Sequence, residues 1–259
     1  MITSKDNELI KEASKLISSS KYRKEKGCFA AEGVRLCCDG AISGARIIVF
    51  LYTDRAKRKY EKEFILISAA SEKSCEISEK LLMKIADTGS PQGFVCLFEM
   101  LDKKSQSYKI VSQRRYAALE NIQDPSNLGT ILRTAEALGT DGIILSDDCC
   151  DIYSPKVVRG SMGAVFRLPV MIVENFTEYI ARLTSQGIMT YASTPHKAKN
   201  INDIDFSDGG VMLIGNEGNG LRSETIAVCR ESVRIEMKGR AESLNAAAAA
   251  AILMYKLQG

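Results

Sequence analysis

The stretch "IEMKGRAESLNAAAAAA" at residues 235–251 joins a strand-like run to polar residues and then to six consecutive alanines. Alanine has high helix propensity and little bulk, so the alanine run predicts a helix that packs closely against its neighbours. Ser243 precedes this run, and we expect its hydroxyl to cap the helix by accepting hydrogen bonds from free backbone amides. Asn245, expected just inside the helix, is a modest helix former and therefore indicates a functional or capping contact.

A second polar stretch, "LIGNEGNGL" at residues 213–221, follows an apolar run. Gly215, Gly218 and Gly220 permit positive φ angles and close approach of the backbone to a ligand. Their spacing is neither that of a dinucleotide-binding fingerprint nor that of a phosphate-binding loop. Glu217 lies among these glycines and requires a partner, such as an arginine or a ligand hydroxyl.

A third polar stretch, "NIQDPSNLGTILRTAEALG" at residues 121–139, reads as a loop followed by a helix that begins near Leu128. Arg133 lies one to two turns into this helix, where it can reach the end of the preceding strand. The residue that caps the helix is left open among Asp124, Ser126 and Asn127.

Apolar runs alternate with helical patterns along the second half of the chain. This alternation is typical of a parallel α/β sheet, in which ligands bind beyond the carboxyl ends of the strands. The three polar stretches would then meet at one edge of the sheet. A helix is predicted over about 176–185, and strands are predicted over 116–120, 142–146, 168–173, 188–194, 209–214 and 233–237.

The first half is predicted to be a smaller α/β unit. Residues 101–115 have no strong apolar period and are interpreted as a linker, which gives domains over 1–100 and 116–259. The predicted helices cover 5–18, 28–42, 54–63 and 78–87, and the predicted strands cover 45–52, 64–68 and 93–100.

Composition narrows the class of protein. The 259 residues are 45% hydrophobic and 26% charged, which is typical of a globular protein. Neither a membrane-length apolar run nor a signal-peptide core is present, so we expect a soluble, cytoplasmic chain. The eight cysteines form no C-x-x-C pair and the only histidine is His196, so we expect reduced, mostly buried thiols and no metal site.

Charge is distributed unevenly along the chain. Residues 1–115 carry 22 Lys and Arg against 15 Asp and Glu, a net of +7, whereas residues 116–259 carry 13 against 17, a net of −4. The basic half indicates either contact with a polyanion such as nucleic acid or a solvated lysine-rich surface. The three polar stretches together supply amides, hydroxyls, a carboxylate and one arginine. This set suits a nucleoside-like cofactor better than hydrolysis by a metal or a catalytic triad.

At these three stretches the chain resembles the SpoU/TrmH family of RNA 2′-O-ribose methyltransferases, within the SPOUT superfamily. It departs from the family pattern at Glu236, where proline is usual, and in the alanines that follow Ser-Leu-Asn. The segment "KYRKEKGCFAAEGVRLCCDG" at residues 21–40 is similar to the opening of the substrate-binding domain often attached to this family, a module like certain RNA-binding ribosomal proteins.

The resemblance implies S-adenosylmethionine as cofactor, a trefoil-knotted C-terminal domain and a homodimer formed through that domain. It implies catalytic roles for Asn127, Arg133, Glu217, Ser243 and Asn245. The cofactor-binding residues implied are Thr194, Gly215, Asn216, Gly220, Ile235, Met237 and Leu244. RNA phosphates would meet Lys21, Arg23, Lys24, Lys26 and Arg35.

Several alternatives stay open at this point. Ribosomal RNA of the large subunit is favoured over transfer RNA because of the separate N-terminal module, but the nucleotide is not specified. The chain could also be a decayed RNA-binding homologue, which the intact Arg133, Glu217, Ser243 and Asn245 argue against. Methylation of a base is disfavoured because the arginine and the Ser-x-Asn set mark the ribose branch. Nothing in the sequence supports a role in antibiotic resistance.

Overall fold

The structure is a computed structural model that describes residues 1–101, 109–241 and 243–259. The chain forms two compact units. The first contains residues 1–101 and 153–167, and the second contains the described residues of 102–152 and 168–259. The predicted linker lies partly outside the described residues, and its last residue, Arg115, begins a strand.

Helices and strands alternate along much of the chain. The helices are Glu8–Ser18 (α1), Ser20–Lys26 (α2), Val34–Ile42 (α3), Asp54–Lys59 (α4), Glu61–Ala70 (α5), Glu79–Ile85 (α6), Pro125–Ala137 (α7), Pro155–Gly160 (α8), Ala164–Arg167 (α9), Phe176–Ser185 (α10), Ser223–Val228 (α11) and Ala246–Leu257 (α12), with a 3₁₀ turn at Ile201–Asp203. The strands are Cys28–Glu32 (β1), Ile47–Tyr52 (β2), Ser74–Glu76 (β3), Phe94–Glu99 (β4), Arg115–Leu119 (β5), Gly142–Ser146 (β6), Val170–Val173 (β7), Thr190–Ser193 (β8), Lys199–Asn200 (β9), Gly210–Ile214 (β10) and Glu231–Arg234 (β11).

The first unit is built on a mixed sheet of strand order β1-β4-β2-β3. β4 pairs antiparallel with β1 and β2, and β3 pairs parallel with β2. Apolar side chains from α1 and α6, such as Leu16 and Leu82, are buried against sheet residues such as Leu51 and Leu97. Burial of this apolar surface stabilises the unit.

Residues 153–167 belong to the first unit although they follow β6 in the sequence. Phe29 lies 5.4 Å from Phe98, 4.7 Å from Tyr153 and 5.9 Å from Phe166, measured between ring centroids. Aromatic pairs at these separations contribute beyond the area that they bury. The compact units therefore differ from the predicted domains, because residues 153–167 group with the first unit. The domain boundaries at 1–100 and 116–259 stay a prediction.

Three predictions of secondary structure in the first unit were wrong. Residues 54–63 are divided between α4 and α5 at Tyr60 instead of forming one helix. Residues 64–68 lie inside α5, because a five-residue apolar run fits a helix as well as a strand. Residues 28–42 form a strand and a helix instead of one helix. Gly33 separates the two with φ of 105°, a backbone angle that ends regular structure and that glycine adopts readily.

The second unit is built on a seven-stranded sheet of order β7-β6-β5-β10-β8-β11-β9, in which neighbouring strands are parallel. The predicted α/β class with a parallel sheet is therefore confirmed. The carboxyl ends of β5, β10, β8 and β11 lie side by side, and α12 packs against α7 and β10. The trefoil knot stays a prediction from the family resemblance. Within the described ranges, every helix is too short or too polar to cross a membrane.

Candidate functional site

The polar stretch at residues 121–139 contains α7, whose N-cap is Asp124. The Asp124 carboxylate accepts a hydrogen bond from the Ser126 amide at 2.8 Å, and Pro125 occupies the first helical turn, where its missing N–H is harmless. The helix thus begins three residues before the predicted start near Leu128. This start places Asn127 in the first turn of α7, where it is buried at 7% exposure.

The polar stretch at residues 235–251 leads into α12, and the N-cap of this helix is Asn245. The Asn245 Oδ1 accepts hydrogen bonds from the amides of Ala247 at 2.9 Å and Ala248 at 3.3 Å. The prediction that Ser243 caps this helix was therefore wrong, since the helix begins at Ala246, and Asn245 precedes the helix instead of lying inside it. Ser243 is exposed.

One chain of hydrogen bonds joins the three stretches. The Asn245 Nδ2 donates to the Asn127 Oδ1 at 3.0 Å, and the Asn127 Nδ2 donates to the Glu217 Oε1 at 3.0 Å. These partners are 118 and 90 positions apart in the sequence. The structure therefore brings together three of the five residues predicted to be catalytic.

Glu217 is held by amides and not by an arginine. Its carboxylate also accepts the backbone N–H of Gln123 at 3.1 Å and of Asp124 at 3.0 Å. Burial opposes ionisation of Glu217, but the hydrogen bonds from Asn127, Asp124 and Gln123 outweigh it, so the pKa of this carboxyl is lowered. The negative charge fixes the direction in which the Asn127 amide donates.

Arg133 lies on α7 six positions after Asn127, nearly two helical turns further along. Its side chain is exposed and makes no hydrogen bond or ion pair with any other residue in the described part of the chain. The expected pairing of Arg133 with Glu217 or Asn127 is absent from this arrangement. The guanidinium is free to meet a ligand.

The second polar stretch forms a tight loop directly after β10. The amides and carbonyls of Asn216 and Gly220 exchange hydrogen bonds of 3.0 and 2.9 Å. The Asn216 Oδ1 accepts the amides of Gly218 and Asn219, both at 3.0 Å. A Cβ at Gly215 would lie 2.1 Å from the Gly220 carbonyl carbon, so only glycine fits there.

The remaining residues predicted to bind the cofactor follow the neighbouring strands. The Thr194 amide donates to the Val233 carbonyl at 3.0 Å, which ties together the ends of β8 and β11. Ile235 directly follows β11 and is half-buried. Met237 and Leu244 are each 37% exposed, which is unusual for large apolar side chains.

A cleft of about 600 Å³ opens beside the hydrogen-bonded chain. Four of the five residues predicted to be catalytic line it, whereas Arg133 does not. Among the described residues the lining contains two carboxylates and no lysine or arginine. The lining residues are Gln123, Asp124, Asn127, Asn216, Glu217, Ser243, Leu244, Asn245 and Ala246.

The basic residues predicted to contact RNA lie on the first unit, and one of them differs from the rest. Lys21, Lys24, Lys26 and Arg35 are exposed. Arg23 is 4% exposed, and its Nη1 donates to the carbonyls of Leu16 at 2.6 Å and Ile17 at 3.1 Å. Arg23 satisfies carbonyls at the end of α1, so its side chain is not presented to an RNA phosphate.

All eight cysteines are free thiols, but only Cys37 and Cys96 are buried and the other six are half-buried, so the prediction that most are buried was wrong. Burial raises the pKa of Cys150, beside the cleft, to about 12, which keeps it a protonated and poorly nucleophilic thiol. Across the described residues, no three His, Cys, Asp or Glu side chains converge on a metal position.

Sequence reasoning missed an ionic cluster behind the loop Asn216–Gly220, of whose three members Glu120 alone is buried. Glu120 at the end of β5 is 0% exposed, and Arg222 and Asp148 complete the cluster. A glutamate at the carboxyl end of an otherwise apolar strand was a usable signal, because buried carboxylates require partners.

Known proteins resemble the chain over both units. Residues 114–255 match the SpoU rRNA Methylase family, and residues 7–96 match the MRM3-like substrate binding domain. An uncharacterised tRNA/rRNA methyltransferase of Synechocystis sp. is 33% identical over 98% of this chain and 92% of its own. A 23S rRNA guanosine 2′-O-methyltransferase of Bacillus subtilis is 28% identical over 100% of this chain and 99% of its own.

The crystal structure of an AdoMet-bound rRNA methyltransferase from Sinorhizobium meliloti superposes with a TM-score of 0.88 at 32% identity, and the match covers 99% of this chain and 96% of that one. The three polar stretches, the parallel sheet and the N-terminal unit are therefore those of one known group of enzymes. The chain belongs to the SpoU rRNA methylase family of S-adenosylmethionine-dependent RNA 2′-O-methyltransferases.

Proposed function

We propose that the cleft formed by the chain Glu217–Asn127–Asn245 is where this protein methylates a ribose 2′-hydroxyl of large-subunit ribosomal RNA. The observation that carries the proposal is the convergence of three distant polar stretches on one hydrogen-bonded chain. The substrate class is taken from the B. subtilis relative, which this chain matches from end to end.

The residues present fit S-adenosylmethionine. The cleft volume of about 600 Å³ lies within the range for small-molecule sites. Its two carboxylates, Asp124 and Glu217, suit a cationic ligand. Of the residues that the resemblance assigns to the cofactor, Asn216 and Leu244 line the cleft, whereas Gly215, Gly220, Thr194, Ile235 and Met237 do not. Together they would hold the cofactor, largely through main-chain contacts and apolar packing. When bound, the cofactor supplies an activated methyl group.

The role of this chain is to orient the ribose hydroxyl and to stabilise the charge that develops on it. Glu217, ionised and held by four donors, fixes Asn127, and Asn127 in turn fixes the Asn245 amide. The exposed Ser243 hydroxyl is available to the RNA. Arg133 is permanently charged and is a poor base, so it would hold the target phosphate while the proton passes to a phosphate oxygen or to water.

A homodimer through α12 is part of the proposal. Ala248, Ile252 and Tyr255 lie at helical spacing on one face of α12 and are exposed. Ile252 is 38% and Tyr255 is 66% exposed, so this face is apolar and accessible. A second copy would bury it, and the small alanine side chains would permit close approach of the two helices.

Replacement of Arg133 by alanine tests the proposed chemistry. We expect Arg133→Ala to lower methyl transfer to RNA by at least about 100-fold, the scale of one charge-stabilising group, while the Kd for S-adenosylmethionine stays within several-fold of wild type. The control is Arg182→Ala, which removes an exposed arginine from α10 and should leave turnover unchanged. Near-normal turnover of Arg133→Ala would remove that residue from the mechanism.

The substrate and the competing reading of a decayed homologue need separate measurements. Calorimetric titration with S-adenosylmethionine distinguishes an enzyme from a decayed RNA-binding protein, which would bind no cofactor at millimolar concentration. Mapping of 2′-O-methylation in ribosomal RNA and transfer RNA, from a deletion strain and its parent, identifies the target. Loss of a mark in transfer RNA alone would overturn the ribosomal assignment.

A further inference from the structure

The ionic cluster behind the loop Asn216–Gly220 contains one buried carboxylate, that of Glu120, whereas the side chains of Arg222 and Asp148 are 41% and 35% exposed. The Glu120 side chain is 1% exposed. Its Oε1 accepts the Thr225 hydroxyl at 2.6 Å, and its Oε2 accepts the Arg222 amide at 2.8 Å. A buried carboxylate is costly unless it is paired and hydrogen-bonded, so Glu120 fixes the backbone where α11 begins.

Arg222 links this carboxylate to a second one. Its Nη1 lies 3.5 Å from the Glu120 Oε1, and its Nη2 forms an ion pair with the Asp148 Oδ2. A planar guanidinium can serve two carboxylates at fixed angles, which a lysine cannot. Arg222 comes two residues after Gly220. Its ion pairs therefore restrain the position of the backbone at the end of the loop Asn216–Gly220.

Asp148 is linked through Asn121 to Asn216, the first residue of the same loop. Its Oδ2 accepts the Asn121 Nδ2 at 2.9 Å, and the Asn121 carbonyl accepts the Asn216 Nδ2 at 2.8 Å. Asn121 has a positive φ of 55°, a conformation that asparagine tolerates better than most residues. A closed ring thus runs from Asn216 through the loop to Arg222, and back through Asp148 and Asn121.

We infer that Asp148 and Arg222 are positioning residues that hold the loop Asn216–Gly220 in its cofactor-binding shape before the cofactor arrives. Outside this ring, the Asp148 carbonyl accepts a hydrogen bond from the Gln123 Nε2 at 2.6 Å, so the backbone of Asp148 also contacts one residue of the cleft lining. The ring acts on the loop through Asn216, because the Asn216 Oδ1 accepts hydrogen bonds from the amides of Gly218 and Asn219. The inference rests on the proposed function, in which this loop binds S-adenosylmethionine.

The matched test compares two adjacent aspartates. Asp148→Asn removes one charge from the ring, whereas Asp147→Asn removes the same charge from an exposed neighbour whose side chain forms no hydrogen bond or ion pair among the described residues. We expect Asp148→Asn to raise the Kd for S-adenosylmethionine by about 10-fold, the scale of a charge-assisted hydrogen bond. We expect kcat at saturating cofactor and the KM for RNA to stay within about three-fold of wild type, and Asp147→Asn to behave as wild type.

A conservative replacement of the cation provides a second measurement. Arg222→Lys retains the positive charge but loses the planar guanidinium that bonds two carboxylates at once. We therefore expect it to raise the Kd for S-adenosylmethionine by about as much as Asp148→Asn does. Because both act on one ion pair, the double variant should bind little worse than either single variant. If the losses of binding free energy in the two single variants add up in the double variant, Arg222 and Asp148 act separately and the inference is wrong.

Hydrogen exchange of the wild-type protein and of Asp148→Asn tests the inference directly on the loop. In the absence of cofactor, the amides of Gly218 and Asn219 should be protected, and in Asp148→Asn they should exchange faster while amides of α10 are unchanged. Rapid exchange of these two amides in the free wild-type protein would overturn the inference. So would an unchanged Kd in folded Asp148→Asn.

Failure of the inference is distinguishable from failure of the proposed function. If wild-type protein binds no S-adenosylmethionine, the proposed function fails. If wild-type protein binds the cofactor and methylates RNA, and Asp148→Asn does the same with equal affinity, only the positioning role of the ring fails.

Discussion

Two loops assigned to the cofactor are held in opposite ways. The loop Asn216–Gly220 is tied by its own backbone, by the Asn216 side chain and by Glu217. In the described residues 236–241, the one side-chain hydrogen bond is the Asn200 Nδ2 donating to the Glu236 Oε2 at 3.3 Å. We therefore expect one side of the site to be organised before the cofactor arrives and the other to become organised on binding.

The cause of the difference lies in the residue types. Asparagine and glycine allow a short loop to satisfy its own amides and to adopt positive φ angles. Residues 236–241 instead carry charged and apolar side chains that are exposed. A Cβ added at Gly239 would have no neighbouring atom within 4 Å. A segment with few buried contacts and few hydrogen bonds has low local stability.

The largest effect should come from filling the space at Gly215. A Cβ there would lie 2.1 Å from the Gly220 carbonyl carbon and 2.2 Å from the Leu221 nitrogen, both backbone atoms that cannot move independently of the loop. We expect Gly215→Ala to lower the free energy of unfolding by about 1–3 kcal/mol, as overpacking does. It should also weaken S-adenosylmethionine binding by more than 10-fold, measured by calorimetry.

Gly239→Ala is the matched control on the other loop. No atom lies within 4 Å of its Cβ position, so its free energy of unfolding should stay within about 0.5 kcal/mol of wild type. If both alanine variants bind the cofactor and unfold alike, the contrast between the two loops is wrong.

An intermediate effect should come from the start of α12. Asn245→Ala removes the cap and leaves the Asn127 Oδ1 without its donor. We expect a loss of about 1 kcal/mol in the free energy of unfolding from the cap. Ser243→Ala, two residues earlier and exposed, should change this free energy by less than about 0.5 kcal/mol. Urea unfolding measures both, and a larger loss for Ser243→Ala would contradict the cap assignment.

Local patterns predicted several elements closely. The strand at residues 142–146 and the helix at 176–185 have the expected bounds, because apolar periodicity and flanking polar residues are short-range signals. The run at 64–68 shows the limit of that signal, since its burial depends on neighbours that the sequence does not reveal. Arg23 shows a second limit, because its chemistry allows both phosphate binding and the capping of carbonyls.

The site was predictable only where the family resemblance reached. Asn127, Glu217 and Asn245 belong to three recognisable stretches, and the structure joins them. Glu120 at the end of an apolar strand signalled that a buried carboxylate needs partners, but the identity of those partners was not predictable, because Glu120 and Thr225 are 105 positions apart. Pairing over such separations is set by strand order, which a single sequence does not specify.

The smallest effect on stability should come from Met237, on the weakly held side. Its side chain is 37% exposed, so Met237→Ala should leave the free energy of unfolding of the cofactor-free protein within about 0.5 kcal/mol of wild type. Thermal unfolding with and without S-adenosylmethionine measures how much the side chain contributes to cofactor binding. A ligand stabilises the folded state according to its Kd, so a several-fold weaker Kd reduces the rise in Tm that the cofactor produces.

Met83→Ala, at an exposed methionine on α6, controls for the loss of a methionine as such. It should show the full wild-type rise in Tm on addition of cofactor. If Met237→Ala also shows the full rise, the Met237 side chain gains no contact on binding. If Met237→Ala instead lowers the Tm of the cofactor-free protein by as much as Asn245→Ala does, residues 236–241 are already packed before the ligand arrives. The contrast with Asn216–Gly220 would then have to be abandoned.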